Sequence, residues 1–411
     1  RRKRAGKTNQ RIGRTIKMKT TKVTSTAVAA LNKQLTARLP EIISWRHQLH
    51  MHPEIAGRET STREFVARIM SATASTIQPP LLGTDLIAEL IPEHDTGRCI
   101  GLRADIDALP LTEANEFAHK SAIPGMMHGC GHDGHTAMLL GAATVLSDCR
   151  HLLTNRVRFI FQPGEEMACL GRELVAAGAC AGLDEIYAIH GWPGLPCGCI
   201  STRAGVPFGS GAMFSIRLTG KGCHGAQPEN GLNPVPTAGR IAWELQQLHQ
   251  HYSSKNEAVI SVCRVTAGSG ANIIPKDALL QGTTRYFDAA LNPKVKQAIA
   301  AIIERCCDDS GIQWEFDYDD SYRLSVINHP DAVAKLSALT TEYLPEAWRD
   351  AAEPTRAMED FSFFLEACPM GAMLWLGLGE NSQPLHNPRF DFNDEALFNG
   401  IMMLCLAALA E

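Results

Sequence analysis

Residues 127–137 read MHGCGHDGHTA, and how this stretch is read decides what kind of α/β protein the chain is. Gly129, Gly131 and Gly134 spell G-x-G-x-x-G, the fingerprint of a loop that cradles a pyrophosphate. Such a loop follows a strand, opens a helix, and is answered about 20 residues later by an acidic residue ending a second strand. Here the preceding SAIPGMM is not strand-like, and no acidic residue ends a strand near position 150. Positions that must be small to approach phosphate carry a thiol and an imidazole. The dinucleotide reading is therefore set aside. Cys130 and His132, with His128 and His135 close by, put four metal-type donors within eight residues. Thiolate and imidazole together suit zinc and other late divalent metals, whereas manganese prefers oxygen and nitrogen. A structural zinc knuckle would need a second Cys/His pair at short spacing, and none follows. The remaining ligands must come from distant segments.

Working outward, RVRFIFQPGEE (156–166) is an apolar strand running through Pro163-Gly164 into Glu165-Glu166. EIYAIHGW (185–192) repeats the design and delivers His190. MLWLGLGEN (373–381) is another short apolar run, and His386 follows it in PLHNPRFDF. RCIGLRADIDALP (98–110) is a further strand and loop. Helix-like stretches at 135–150 and 171–179 separate these units. A helix is also predicted from near Glu41, with Ile42, Ile43, Trp45 and Leu49 on one face. Strands alternating with helices predict an α/β layer with a mainly parallel central sheet. Residues 204–320 read differently, as β-α-β-β-α-β, the ferredoxin-like order. They are predicted to form an α+β satellite domain inserted into a catalytic domain made of 40–203 and 321–411.

At roughly 100–200 residues per domain, 411 residues fit two domains. The net charge of −5 hides an asymmetry. Residues 1–40 carry 12 Lys/Arg and no acid, so the other 371 residues hold 27 basic and 44 acidic side chains. So acidic a body is a poor nucleic-acid binder. Residues 1–39 are expected to be a basic, disordered head, with Met18 a plausible true start. No stretch nears the roughly 20 apolar residues that span a bilayer. Thirteen cysteines, mostly in apolar or helical contexts, point to reduced thiols and a cytoplasmic protein.

Cys130, His132, Glu166, His190 and His386 give five donors, too many for one tetrahedral ion with an open position. Two ions about 3.5–4 Å apart, sharing one ligand, fit better. Glu165 is then free to act as general base and to return the proton to a leaving amine. This is machinery for amide hydrolysis.

These motifs, together with WRHQLHMHPE, GKGCHGAQPENGLNP, GANIIP and MEDFSFF, resemble the amidohydrolase branch of the M20 metallopeptidase family. That branch includes hippurate hydrolases, N-acyl-L-amino acid amidohydrolases and plant auxin-conjugate hydrolases. The likeness runs from about residue 40 to the end of the chain. It implies the same five metal ligands, two divalent ions per subunit (manganese or zinc first, cobalt or nickel next), and Glu165 as the catalytic base. It implies a small N-acyl amino acid as substrate, with carboxypeptidase action as the neighbouring alternative. It also implies a homodimer formed through the satellite domain, in which His224 serves a neighbouring active site by stabilising the oxyanion. Asn272 and Arg285 match positions that contact the substrate. Asp105, in Arg103-Ala104-Asp105, is implied to orient a ligand imidazole. The chain departs from the branch pattern at Met167-Ala168-Cys169 and Cys223, where glycines are common, and in GLNP, where an Asp usually precedes the Pro.

Overall fold

The computed structural model of the chain describes residues 23–349 and 353–410. It opens with α1 (Ser25–Met51), capped where the Thr24 hydroxyl accepts the Ala27 N–H at 3.2 Å. The helix expected from near Glu41 thus begins at Ser25. Residues 25–39, expected within a disordered head, are helical. The reason is a row of apolar residues at helical spacing: Ala27, Leu31, Leu35 and Ile42 are buried on one face, while Lys33 stays exposed. The basic charge of the segment masked that row. Residues 1–22 of the expected head lie outside the described residues.

The chain continues through α2 (Thr60–Met70), β1 (Thr76–Ile77), β2 (Leu86–Leu90), β3 (Cys99–Asp105), α3 (His132–Asp148), β4 (Arg156–Gln162), α4 (Leu170–Ala176), β5 (Glu185–Trp192), β6 (Ile200–Ser201) and β7 (Gly205–Phe208). The inserted unit follows: β8 (Ser210–Thr219), β9 (Cys223–His224), α5 (Pro234–Ser253), β10 (Ala258–Ala267), β11 (Ile273–Ile274), β12 (Asp277–Tyr286), α6 (Asn292–Asp308) and β13 (Gln313–Arg323). The chain returns through β14 (Val326–Asn328), which pairs with β7, then α7 (Pro330–Tyr343), α8 (Phe361–Ala367), β15 (Gly371–Gly377) and α9 (Leu397–Leu409).

The central sheet has the order β1-β2-β4-β3-β5-β15-β6. Its middle four strands, β4, β3, β5 and β15, are parallel, and the flanking pairs are antiparallel. Every residue of β3 and β15 is buried, as expected for parallel strands covered on both faces. The connection from β3 through α3 leads to β4 on one side, and the next leads to β5 on the other. β3 is therefore a switch point, and the carboxyl ends of β3, β4 and β5 open onto one crevice, the usual ligand position in such sheets. Helix α3 is buried from His132 to Leu146 and packs against α1 and α9.

The inserted unit has a four-stranded antiparallel sheet, β10-β12-β8-β13, and the short antiparallel pair β11-β9. With α5 and α6 it gives the expected ferredoxin-like order, and it has its own core of Phe214, Ile216, Leu218, Ile241 and Ile299. Its last strand runs past the expected boundary at 320 to Arg323. Among the described residues no helix is long and apolar enough to cross a membrane, and all thirteen cysteines are free.

Candidate metal centre and active site

The three glycines of the opening motif serve packing and turning. Gly131 precedes α3 in the left-handed region, at φ 90°, where glycine has no steric penalty. A Cβ on Gly134 would meet the Phe392 ring at 2.3 Å. The loop thereby seats Cys130 and His132 at the mouth of the crevice.

Two overlapping donor sets converge there. The ligand atoms of Cys130, His132 and His190 all lie within 4.8 Å of one another, and so do those of Cys130, Glu166 and His386. Cys130 belongs to both. Its Sγ is 3.7 Å from His190 Nε2, and Glu166 Oε1 is 3.8 Å from His132 Nε2 and 3.3 Å from His386 Nε2. His190 comes from within β5, which runs through to Trp192. His386 lies in the loop after β15 with φ 62°, fixed by its N–H on the Gly129 carbonyl at 2.7 Å.

The imidazoles are oriented for ligation. His190 Nδ1 lies 2.8 Å from the Gly191 carbonyl and His132 Nδ1 lies 3.0 Å from the Asp107 carbonyl. A carbonyl only accepts, so each Nδ1 carries the proton and each Nε2 faces the centre. His132 Nε2 and Glu166 Oε1 are buried without a hydrogen-bond partner. Orphaned buried polar atoms are rare, and two of ligand type in one cluster fit a cation. Burial, with His135, lowers His190 to about 4, so it is neutral. Burial also opposes charge on Glu166, but His386 and His132 outweigh it and hold the carboxylate at about 2. Burial, then Glu166, pushes the Cys130 thiol well up. Burial opposes charge on His132 too, yet Asp105 and Asp107 raise its pKa well above the usual range. A cation would replace that proton and draw out the thiolate.

Glu165 lies beside this cluster, 5% exposed. Burial chiefly, then Glu359, Glu166 and Asp360, raises its pKa well above the usual range, against the pull of Arg323. Arg323 Nη2 sits 3.1 Å from Glu165 Oε1 and also donates to the Glu165 and Glu166 carbonyls. A register shift between Asp319 and Arg323 ends the regular pairing of β13 with β8 at this point. Irregularities of this kind re-aim side chains.

Several functional contacts escape the sequence reading. Asp107 accepts the Glu165 N–H at 3.1 Å and the Glu166 N–H at 3.0 Å, and its Oδ1 is 3.3 Å from His132 Nδ1. Of the two aspartates it is Asp107, not Asp105, that touches the Nδ1 of His132. Asp105 instead takes His135 Nδ1 at 2.6 Å and Arg103 at 2.8 Å, and stands 3.7 Å from His132 Nε2. The second Asp in RADIDALP was the available signal. Arg103, buried, binds Glu359 through two nitrogens and Asp360 at 3.0 Å, bracing the wall behind Glu165. Cys169 adopts φ 53°, a left-handed conformation that glycine takes without steric penalty. Its sulfur donates to the Tyr322 carbonyl at 2.9 Å.

A cavity of about 200 Å³ opens on Cys130, Glu165, Glu166, His190 and His386, with Trp192, Phe208, Arg285 and Arg323 on other walls. Arg285 donates to Thr283 Oγ1 and to the Thr284 carbonyl, and among the described residues it makes no ion pair. His224 and Asn272 are not brought here. They are exposed and share another groove of about 630 Å³, where Ile273 pairs with His224 and the Gly225 N–H donates to the Asn272 carbonyl.

The chain is similar to known proteins along most of its length. The sequence model of peptidase family M20/M25/M40 matches residues 101–410. An N-acetylcysteine deacetylase of Bacillus subtilis (strain 168) is 35% identical over 365 residues, spanning 87% of this chain and 93% of its own. An N-acyl-L-amino acid amidohydrolase of Geobacillus stearothermophilus is 36% identical over 293 residues, 71% of this chain and 79% of its own. Among solved structures, the Bacillus subtilis YXEP protein, a dinuclear metal binding peptidase, is 32% identical with a TM-score of 0.77, covering 91% of this chain and 98% of its own.

Proposed function

Because the chain belongs to peptidase family M20/M25/M40, a family of metal-dependent hydrolases acting on amide bonds, we propose that it cleaves N-acyl amino acids to a carboxylic acid and a free amino acid. One observation carries this reading. Donors from four separate segments meet beside Glu165, and two of their ligand atoms are buried without a hydrogen bond. Cys130, His132, Glu166, His190 and His386 would hold two divalent ions, manganese or zinc before cobalt or nickel. Bound there, such ions would make a water more acidic and polarise the scissile carbonyl.

The chain's own groups do the rest. Glu165 takes the proton of the attacking water and returns it to the amide nitrogen as the C–N bond breaks. Burial, which raises its pKa, favours its holding the proton between the two transfers. Asp107 holds the Glu165-Glu166 turn still while that proton moves. The half-buried guanidinium of Arg285, which makes no ion pair among the described residues, supports its role as receiver of the substrate α-carboxylate. His224 donates to the developing oxyanion of a second copy of the chain, with Asn272 beside it. Their separation from the Glu165 cavity of their own chain supports a homodimer through the inserted unit. Trp243 on α5 and Val265 on β10, 65% and 52% exposed, suit a covered face. Free thiols throughout support a reducing, cytoplasmic setting.

Glu165→Gln tests the reading. It should keep its metal and lose about 10²- to 10⁴-fold in kcat on an N-acetyl amino acid; unchanged kcat would overturn the mechanism. Rates on the matching dipeptide, measured alongside, separate acylase from carboxypeptidase action.

A further inference from the structure

The cavity carries a second cation that the hydrolysis scheme leaves unused. Arg285 reaches it from β12, and Arg323 reaches it from the end of β13. Arg323 is 7% exposed. All its interactions with Glu165 and Glu166 run through Nη2, and its Nε is buried without a hydrogen-bond partner. The two carbonyl contacts would hold the guanidinium in place if Glu165 turned away from it toward a water. The backbone before it is tethered by Cys169, whose sulfur donates to the Tyr322 carbonyl. Two like charges facing one small cavity repel each other: burial first, and Arg323 with it, lowers the pKa of Arg285. A ligand carboxylate would relieve Arg285, and a second would take the place of Glu165 on Arg323, whose charge Glu165 and Asp360 already favour. Guanidinium groups recognise carboxylates by planar, charge-assisted pairing.

Resting on the hydrolase reading above, we infer that Arg323 is a specificity-determining residue that selects N-acyl derivatives of acidic amino acids. Arg285 takes the α-carboxylate and Arg323 takes the side-chain carboxylate of aspartate or glutamate. The second carboxylate belongs on the amino-acid half rather than the acyl half because Arg323 is paired with Glu165, the group that hands its proton to the leaving amine. At about 200 Å³, below the roughly 300–1,000 Å³ of drug-sized pockets, the cavity favours a short acyl group.

The test compares kcat/KM of the metal-loaded enzyme on N-acetyl-glutamate, N-acetyl-alanine and N-succinyl-alanine, for the wild type, Arg323→Gln and Arg323→Lys. In parallel, calorimetry measures binding of L-glutamate and L-alanine to the same proteins. The wild type should prefer N-acetyl-glutamate to both other substrates. Arg323→Gln should cut the glutamate-to-alanine ratio by about 10- to 100-fold, the worth of one charged hydrogen bond, and Arg323→Lys should recover part of it. L-glutamate should bind more weakly to Arg323→Gln than to the wild type. A residue that only latches the inserted unit to the catalytic turn would lower both rates together and leave the ratio unmoved, which would overturn the inference. A preference for N-succinyl-alanine or N-acetyl-alanine would overturn it as well. If none of the acyl amino acids were hydrolysed, the hydrolase reading would fall separately. The calorimetry would then decide the Arg323 assignment by itself: loss of L-glutamate binding in Arg323→Gln would support it, and equal binding would overturn it.

Discussion

Replacing Asp107 with asparagine asks whether one carboxylate aligns the whole centre. Its Oδ1 accepts the Glu165 N–H at 3.1 Å and lies 3.3 Å from His132 Nδ1, while its Oδ2 accepts the Glu166 N–H at 3.0 Å. A carboxamide has a single acceptor oxygen. Whichever way it turns, one of the two N–H groups then faces an NH₂ donor. Leaving a buried donor unsatisfied costs about 1–3 kcal/mol. Loss of the charge weakens the surviving bond by about 1 kcal/mol more, since charged hydrogen bonds are roughly twice as strong as neutral ones. The total, about 2–4 kcal/mol, divides between fold and centre. If Asp107 aligns the centre, divalent-metal affinity by calorimetric titration should fall by about 10- to 100-fold, as for other outer partners of metal ligands. The unfolding midpoint should drop by only a few degrees, and kcat should fall with metal held saturating. Wild-type metal affinity together with wild-type kcat would refute the alignment argument.

Leu31→Ala tests whether residues 25–39 belong to the core. Leu31 is fully buried on α1, so the substitution should destabilise the protein by about 2–5 kcal/mol in urea unfolding; an unchanged midpoint would return the segment to solvent. His50 gives a pH prediction. Burial opposes its charge, but Asp133 and Glu113 outweigh it and raise its pKa to about 9. A raised pKa gives stability that is complete below about pH 6.5 and lost as pH rises through 9, on the order of 3 kcal/mol at about 1.4 kcal/mol per unit. His50→Gln should flatten that decline in unfolding free energy between pH 6.5 and 9, and an identical slope in variant and wild type would count against it.

The donors are legible in the sequence because each belongs to a run that can be recognised locally. Glu166 follows β4, His190 lies near the end of β5, and His386 follows β15 by one loop. Alternation of strands and helices was enough to bring those ends together, because parallel neighbours align their carboxyl ends. The inserted unit was legible from element order alone. Contacts that join distant segments through polar side chains were not. Arg103 reaches Glu359 and Asp360 across 256 and 257 positions, and neither partner stands in a periodic pattern. Arg323 depends on a break in strand register, which no local preference encodes. The start of α1 was hidden for another reason: Lys33 and Arg38 give residues 25–39 the charge of a solvated tail, although the apolar residues repeat at every fourth position.

The most direct measurement is the metal content of protein purified without chelator, counted by inductively coupled plasma mass spectrometry for the wild type, Cys130→Ala and His386→Ala. The account predicts two divalent ions per wild-type chain and fewer in each variant, because Cys130 belongs to both donor sets and His386 closes one of them. Wild-type protein without stoichiometric metal, or variants that retain the full complement, would contradict it.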